Sequence, residues 1–275
     1  MLNDTPPEFE RIQTKYLAAF SPAKKIIQCF KMSEFVLRQA QASIKDNFEH
    51  LNSADQNQKY IEIYYPEIKK TAAAAGQTLS METNNTQDII QTLTAFVSVL
   101  EKLGIEFQIV GSVASSAYGA ARSTRDIDMV CALDATKVET LVSSLKSEFY
   151  IDKDTVLEAI QNKSSFNVLH LKTMFKIDVF VLNNQSYDLE SFKRKKLEIF
   201  SDSPVLKVFI SSPEDVIISK LNWYRMGNES SERQWNDVQT LYQVQRENLD
   251  FNYLDTWCEK LRLSDLWKRI FTFKS

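Results

Sequence analysis

The chain has 275 residues, a net charge of −3, 44% hydrophobic residues and 25% charged ones. These are the proportions of a soluble globular protein, long enough for two domains or one domain with an appendage. The near-neutral balance excludes a molecule that holds nucleic acid by bulk charge, though not one with a local basic groove. No apolar run approaches the roughly 20 residues of a membrane helix, and the first residues lack the basic head and apolar stretch of a secretory signal. Cys29, Cys131 and Cys258 are too scattered for a disulfide framework or a zinc site. The expected compartment is the cytoplasm, and no membrane partner is expected.

Residues 1–20 give little signal. From Ser21, the stretch SPAKKIIQCFKMSEFVLRQAQASIKDNFEHL predicts a helix, with Ser21 as N-cap and Pro22 at the first helical position, where a missing N–H costs nothing. Ile26, Ile27, Phe30, Phe35, Leu37 and Ile44 give it a broad apolar face. ADQNQKYIEIYY predicts a second short helix stopped by Pro66. Small and polar residues over 69–87 predict a linker. An α/β pattern then begins. It predicts a helix over 86–104 ended by Gly104, a strand over 105–110, a short helix in SVASSAYGA and a strand in DIDMVCAL. Helices come next from Asp134 and in TVLEAIQNK, then two strands over 166–182 joined by a turn near Thr173, and a strand in LKVFI. From Ser212 the pattern predicts helices over 213–225, 230–246, 252–262 and 264–271.

The chemistry concentrates in VGSVASSAYGAARSTRDIDMV, residues 110–130, which holds two of the chain's five glycines. In a strand, residues two apart share a face, so Asp126 and Asp128 point one way and Ile127 and Met129 the other. Two carboxylates about 6.6 Å apart on a partly desolvated face repel unless a cation joins them. Mg²⁺, which takes one or two carboxylates together with phosphate oxygens and water, suits this pair, and two such ions could clamp an in-line phosphoryl displacement. In FKIDVFV a single acid, Asp178, interrupts an apolar strand and shares a face with Lys176 and Phe180. A neighbouring antiparallel strand would set it beside Asp126 and Asp128. Gly111, lacking a Cβ, lets a ligand approach the backbone, and the Ser112 hydroxyl with the first helical N–H groups can hold a phosphate. Arg122 and Arg125 are placed to reach phosphate oxygens. The absence of GxxxxGK[ST] excludes a P-loop ATPase. Plainer readings stand beside these: Ser112 as an ordinary N-cap, and Asp178 as an edge-strand gatekeeper.

On Val110-Gly111-Ser112, Asp126-Ile127-Asp128 and the later Asp178, the sequence resembles the nucleotidyltransferase superfold shared with DNA polymerase beta. RSTRDIDMV and SPEDVIISKLNWYR…SERQWNDVQTLY are similar to the bacterial branch that includes AbiEii-like toxins. The likeness covers roughly 88–245. It implies an α+β fold, with a small mixed sheet flanked by helices. An N-terminal helical module and linker (1–80) would precede a core (81–210) and a C-terminal helical lobe (211–275). It also implies a reaction in which an NTP with Mg²⁺ or Mn²⁺ gives a nucleoside monophosphate to an acceptor hydroxyl on RNA, protein or a small molecule. Asp126, Asp128 and Asp178 would hold metal, with Asp178 also activating the acceptor. Gly111 and Ser112 would seat the triphosphate, and Arg122, Arg125 and Lys220 would neutralise it. Lys220 and Asp237 match a Lys and Asp that complete the AbiEii-like site.

Lys220 also reads as a snorkelling helix lysine, and Asp237 as part of a solvated helix face paired with Arg233. Residues 193–196 form a basic run, read as a solvated helix face or a nucleic-acid contact. Trp223, Tyr224 and Trp235 read as core, with one of them stacking on a nucleobase as the alternative, and His50 and His170 as structural. Residues 21–66 resemble helical modules found beside such enzymes. They suggest an antitoxin-like partner surface, a homodimer contact or an inhibitor in cis. The competing reading of the whole chain is a non-catalytic nucleotide- or partner-binding module.

Overall fold

A computed structural model describes residues 20–64 and 86–272, except 121, 123, 125, 174, 203 and 204. Pro66, Arg125 and residues 69–85 of the linker expected over 69–87 lie outside the described residues, while 86 and 87 already belong to a helix.

Helix α1 spans Pro22–Asn47, and the Ser21 hydroxyl accepts from the Lys24 N–H with Pro22 in its first turn, as the sequence predicts. Next come α2 (Ser53–Tyr64) and α3 (Thr86–Lys102), and then strand β1 (Phe107–Ile109), helix α4 (Gly111–Ala117) and strand β2 (Asp126–Cys131). After them the chain forms α5 (Val138–Leu145), β3 (Phe149–Tyr150), α6 (Lys153–Asn162), β4 (Ser165–His170) and β5 (Lys176–Val181). It continues through α7 (Ser186–Lys193), β6 (Lys196–Asp202) and β7 (Val205–Ile210). Four helices end it: α8 (Pro213–Met226), α9 (Glu232–Gln245), α10 (Phe251–Lys260) and α11 (Ser264–Thr272).

The fold is α+β, as expected: a seven-stranded mixed sheet, ordered β3-β4-β5-β2-β1-β7-β6, flanked by helices. Hairpin β4–β5 is antiparallel, and β5 then lies parallel to β2. This overturns the expected antiparallel neighbour for Asp178. Between β2 and β5 the chain crosses through α5 and α6 and adds β4 on the outside, so β5 returns in the direction of β2, as a crossover connection requires.

Three elements went unread: β3, α7 and β6. The basic run 193–196 is not a helix face, because it joins the end of α7 to the start of β6. Within it Lys195 pairs with Glu106 at 2.7 Å and Arg194 with Glu214 at 3.1 Å.

One apolar cluster runs from Ile26 and Phe30 on α1, through Ile127, Met129, Ile177 and Val179 on the two central strands, to Leu266 and Ile270 on α11. Helix α1 therefore packs into the same core as the sheet, while its Phe35 stays exposed. His170 is buried against Thr92 and Thr173, and burial lowers its pKa to about 4, in keeping with a structural role. No helix among the described residues is long and apolar enough to cross a membrane.

Candidate active site

Strand β2 alternates as its sequence dictates. Ile127, Met129 and Cys131 are buried, while Asp126, Asp128 and Val130 form the partly buried face. On β5, Lys176 stands opposite Asp126 and Asp178 opposite Asp128. The three carboxylates thus come to one face of two central strands, with Lys176 among them. Its ammonium lies 2.9 Å from Asp178 Oδ2 and 3.9 Å from Asp126 Oδ2.

Asp128 is built into the Gly-Ser corner. Gly111 has φ +62°, and a Cβ there would lie 2.7 Å from Asp128 Cγ and 2.9 Å from Asp128 Cβ. The space that the missing side chain frees therefore belongs to the Asp128 carboxylate rather than to a ligand. The Ser112 N–H donates to that carboxylate. Burial first, then the charges of Asp126 and Asp178, push the Asp128 pKa up to about 6, against the pull of the Ser112 N–H and Lys220. Helix α4, with seven residues, is a short pedestal on which the Ser112 N–H is already committed to an acid.

Asp126 is held from the other side. Thr124 Oγ1 donates to its Oδ1 at 2.9 Å, while the Thr124 N–H donates to Ser33 Oγ on α1 at 2.8 Å. One turn earlier on α1 the Cys29 thiol donates to the Arg122 carbonyl at 2.8 Å. Sequence reading missed this tie between α1 and the stretch before β2. Its only local trace is a Thr two residues before an Asp, a spacing suited to a side-chain turn.

Arg122, Ser112, Lys220 and Asp237 form one connected group. Arg122 Nη2 donates to Ser112 Oγ, and its Nε donates to Asp237 Oδ2 at 3.1 Å. Lys220 Nζ donates to the same Asp237 oxygen at 2.6 Å and to Gln234 Oε1 at 3.3 Å. Both Lys220 and Asp237 are buried. Lys220 is not a snorkelling surface lysine and Asp237 is not on a solvated face, because α8 and α9 pack together and enclose both. Burial pushes the Lys220 ammonium down, with Asp237 opposing that shift. Arg233, one turn before Asp237 on α9, feels the negative field of Asp126 and Asp128, and sequence reading gave it no role at the site.

This group makes an asymmetric stability prediction. Asp237→Asn leaves the buried Lys220 and the partly exposed Arg122 without their shared carboxylate, and should cost at most roughly 3–5 kcal/mol. Lys220→Met should cost less, since Arg122 still pairs with Asp237. Thermal unfolding of the two variants checks the order.

A cavity of about 500 Å³ opens beside these residues. Gly111, Ser112, Asp128 and Lys220 line it together with Tyr187 and Trp223, whereas Asp126 and Asp178 are not part of its lining. Trp223 is 53% exposed there and is not core, whereas Tyr224 and Trp235 are buried, as expected. Among the described residues, no three His, Cys, Asp or Glu side chains converge as a ready-made metal cage. The donor chemistry still fits a divalent ion shared with a ligand. Asp126 and Asp128 are hard oxygen donors on one face, and Mg²⁺ commonly takes one or two carboxylates with the remaining positions filled by phosphate and water.

No family model matches the chain, and no curated protein does either. Solved structures do. An antigenic nucleotidyltransferase-like protein from Paracoccidioides brasiliensis is 17% identical over 55% of this chain and 73% of its own, with a TM-score of 0.37. The lincosamide antibiotic adenylyltransferase LnuA, solved with lincomycin bound, is 13% identical over 56% of this chain and 96% of its own, at 0.37. The antibiotic-resistance factor ANT(2'')-Ia is 9% identical over 68% of this chain and 94% of its own, at 0.39. Likenesses this remote assign no activity to the chain.

Proposed function

We propose that the chain is a divalent-metal-dependent nucleotidyltransferase that moves a nucleoside monophosphate from an NTP to an acceptor hydroxyl. The observation that carries this reading is the placing of Asp126, Asp128 and Asp178 on one face of adjacent strands, with Asp128 also lining a cavity beside Gly111, Ser112 and Lys220. Mg²⁺ or Mn²⁺, when bound, supplies positive charge against the phosphate oxygens. Asp126 and Asp128 would hold it, and Asp178 is the third acid on the same face.

The chain's own residues do the remainder. Lys220 and Arg233 add positive field at the triphosphate end, Arg122 fixes Ser112 there, and Arg125 is assigned to the same task by resemblance alone. The acceptor oxygen attacks the α-phosphorus, its proton passes to Asp178, and the bond to the bridging oxygen breaks with its electron pair leaving on pyrophosphate. The acceptor class (RNA, protein or small molecule) and a toxin-like role with a neutralising partner along 21–66 extend this reading by the AbiEii-like resemblance.

A single experiment tests it. Incubation with each α-labelled NTP, Mg²⁺ or Mn²⁺, and total cellular RNA or lysate should give pyrophosphate and a labelled acceptor for at least one nucleotide. Absence of both with every nucleotide overturns the reading. A second reading, a nucleotide-binding module without turnover, draws on the commitment of the Arg122 fork to Ser112 and Asp237 rather than to open space. Metal-dependent NTP binding without pyrophosphate release would establish it.

A further inference from the structure

The acids of the site do not stand alone, and the cation among them belongs to the chain. Lys176 shares the ligand-facing side of β5 with Asp178, two residues on, and lies in register with Asp126 on β2. Its side chain is 11% exposed, so this is an enclosed ammonium and not a surface charge passing by. It sits 2.9 Å from one acid and 3.9 Å from another, in the gap between the strands that an ion bridging Asp126 and Asp178 would need.

We propose that Lys176 is the resident second cation of the site, so that the chain takes one divalent ion, on Asp126 and Asp128, where a pair of ions would otherwise be required. This rests on the metal-dependent reading and specifies its stoichiometry. The charge count supports it. Three carboxylates carry −3, the ammonium returns one charge, and a single divalent ion brings the cluster to neutrality. Before nucleotide binds, a second divalent ion would leave the same cluster at +2, with Lys220 and Arg233 close by to oppose it. Paired ions in phosphoryl-transfer sites sit about 3.5–4 Å apart, a spacing that an ammonium reaching across two strands can match. The 2.9 Å contact also turns one Asp178 oxygen toward Lys176.

The test is direct metal binding. Mn²⁺ titration of the full chain, followed by electron paramagnetic resonance and calorimetry with a non-hydrolysable NTP analogue present, should give one ion per chain for the wild type. Lys176→Met should bind a second Mn²⁺, or the first at least tenfold more tightly. Its melting temperature should fall in metal-free buffer and recover with Mn²⁺. Lys176→Arg, which keeps the charge, should remain at one ion, and Lys176→Gln serves if the methionine variant does not fold. Two ions on the wild type, or unchanged stoichiometry and affinity in both uncharged variants, overturns the assignment of Lys176 alone. A wild type that binds no Mn²⁺ removes the metal-dependent reading together with this one.

Discussion

Asp128→Asn should abolish pyrophosphate release while raising the melting temperature of the metal-free protein at neutral pH. The two effects have one origin. Burial and the neighbouring acids hold the folded-state pKa of Asp128 at about 6, against an ordinary 3.8. A carboxyl raised in the folded state favours folding when protonated. Its penalty is therefore absent below about pH 4, grows as pH rises through 6, and is fully present above that, where it approaches about 3 kcal/mol. Asparagine removes the charge and still accepts from the Ser112 N–H. The stabilisation should therefore be largest above pH 6, at most about 6–12 °C from 2–4 °C per kcal/mol, and should vanish toward pH 4. Melting curves over that range in chelator-treated buffer, read with a pyrophosphate assay at neutral pH, measure both arms. A destabilised Asp128→Asn with the same pH profile as wild type would mean that the acid is a structural anchor and not a strained ligand.

Gly111→Ala should be the more damaging change, because it injures fold and site together. A non-glycine residue at φ +62° costs roughly 1–3 kcal/mol in backbone strain. The new methyl would also overlap the Asp128 side chain, whose Cγ and Cβ lie within 3 Å of it. Asp128 cannot retreat freely, since its backbone carbonyl accepts from the Val110 N–H at 2.9 Å. Activity should be lost and the melting temperature should fall, the opposite sign to Asp128→Asn. The double variant Gly111→Ala/Asp128→Gly removes the overlap and leaves the strain, so it should recover part of the lost stability. If Gly111→Ala melts like wild type, the close packing of carboxylate on glycine is not a constraint.

Much of this site was legible because its signals are local. The i, i+2 spacing of Asp126 and Asp128 fixes a shared face whatever the rest of the chain does, and Ser-Pro pairs at 21–22 and 212–213 announce helix starts from their own chemistry. The unread parts depend on contacts between distant segments. Whether β5 runs with or against β2 is decided by crossovers over residues 132–175, not by the composition of either strand. Strand β6 alternates Leu197, Glu198 and Ile199 but turns the two apolar side chains outward on an edge, 54% and 47% exposed, so its pattern does not mark a core strand. Lys220 and Asp237 read as ordinary polar positions on two helices. Only the packing of α8 on α9 turns them into a buried pair. Gly111 was singled out correctly as a point of close approach, but the group that approaches is an acid from the next strand, 17 positions along the chain.

The bonds from Cys29 and Ser33 to Arg122 and Thr124 bear on how the chain could be divided. The first helix grips the approach to Asp126 the way a thumb steadies a nail, so severing it would not separate a regulator from an independent catalyst. The remainder would keep its acids but lose the fixture that aims one of them.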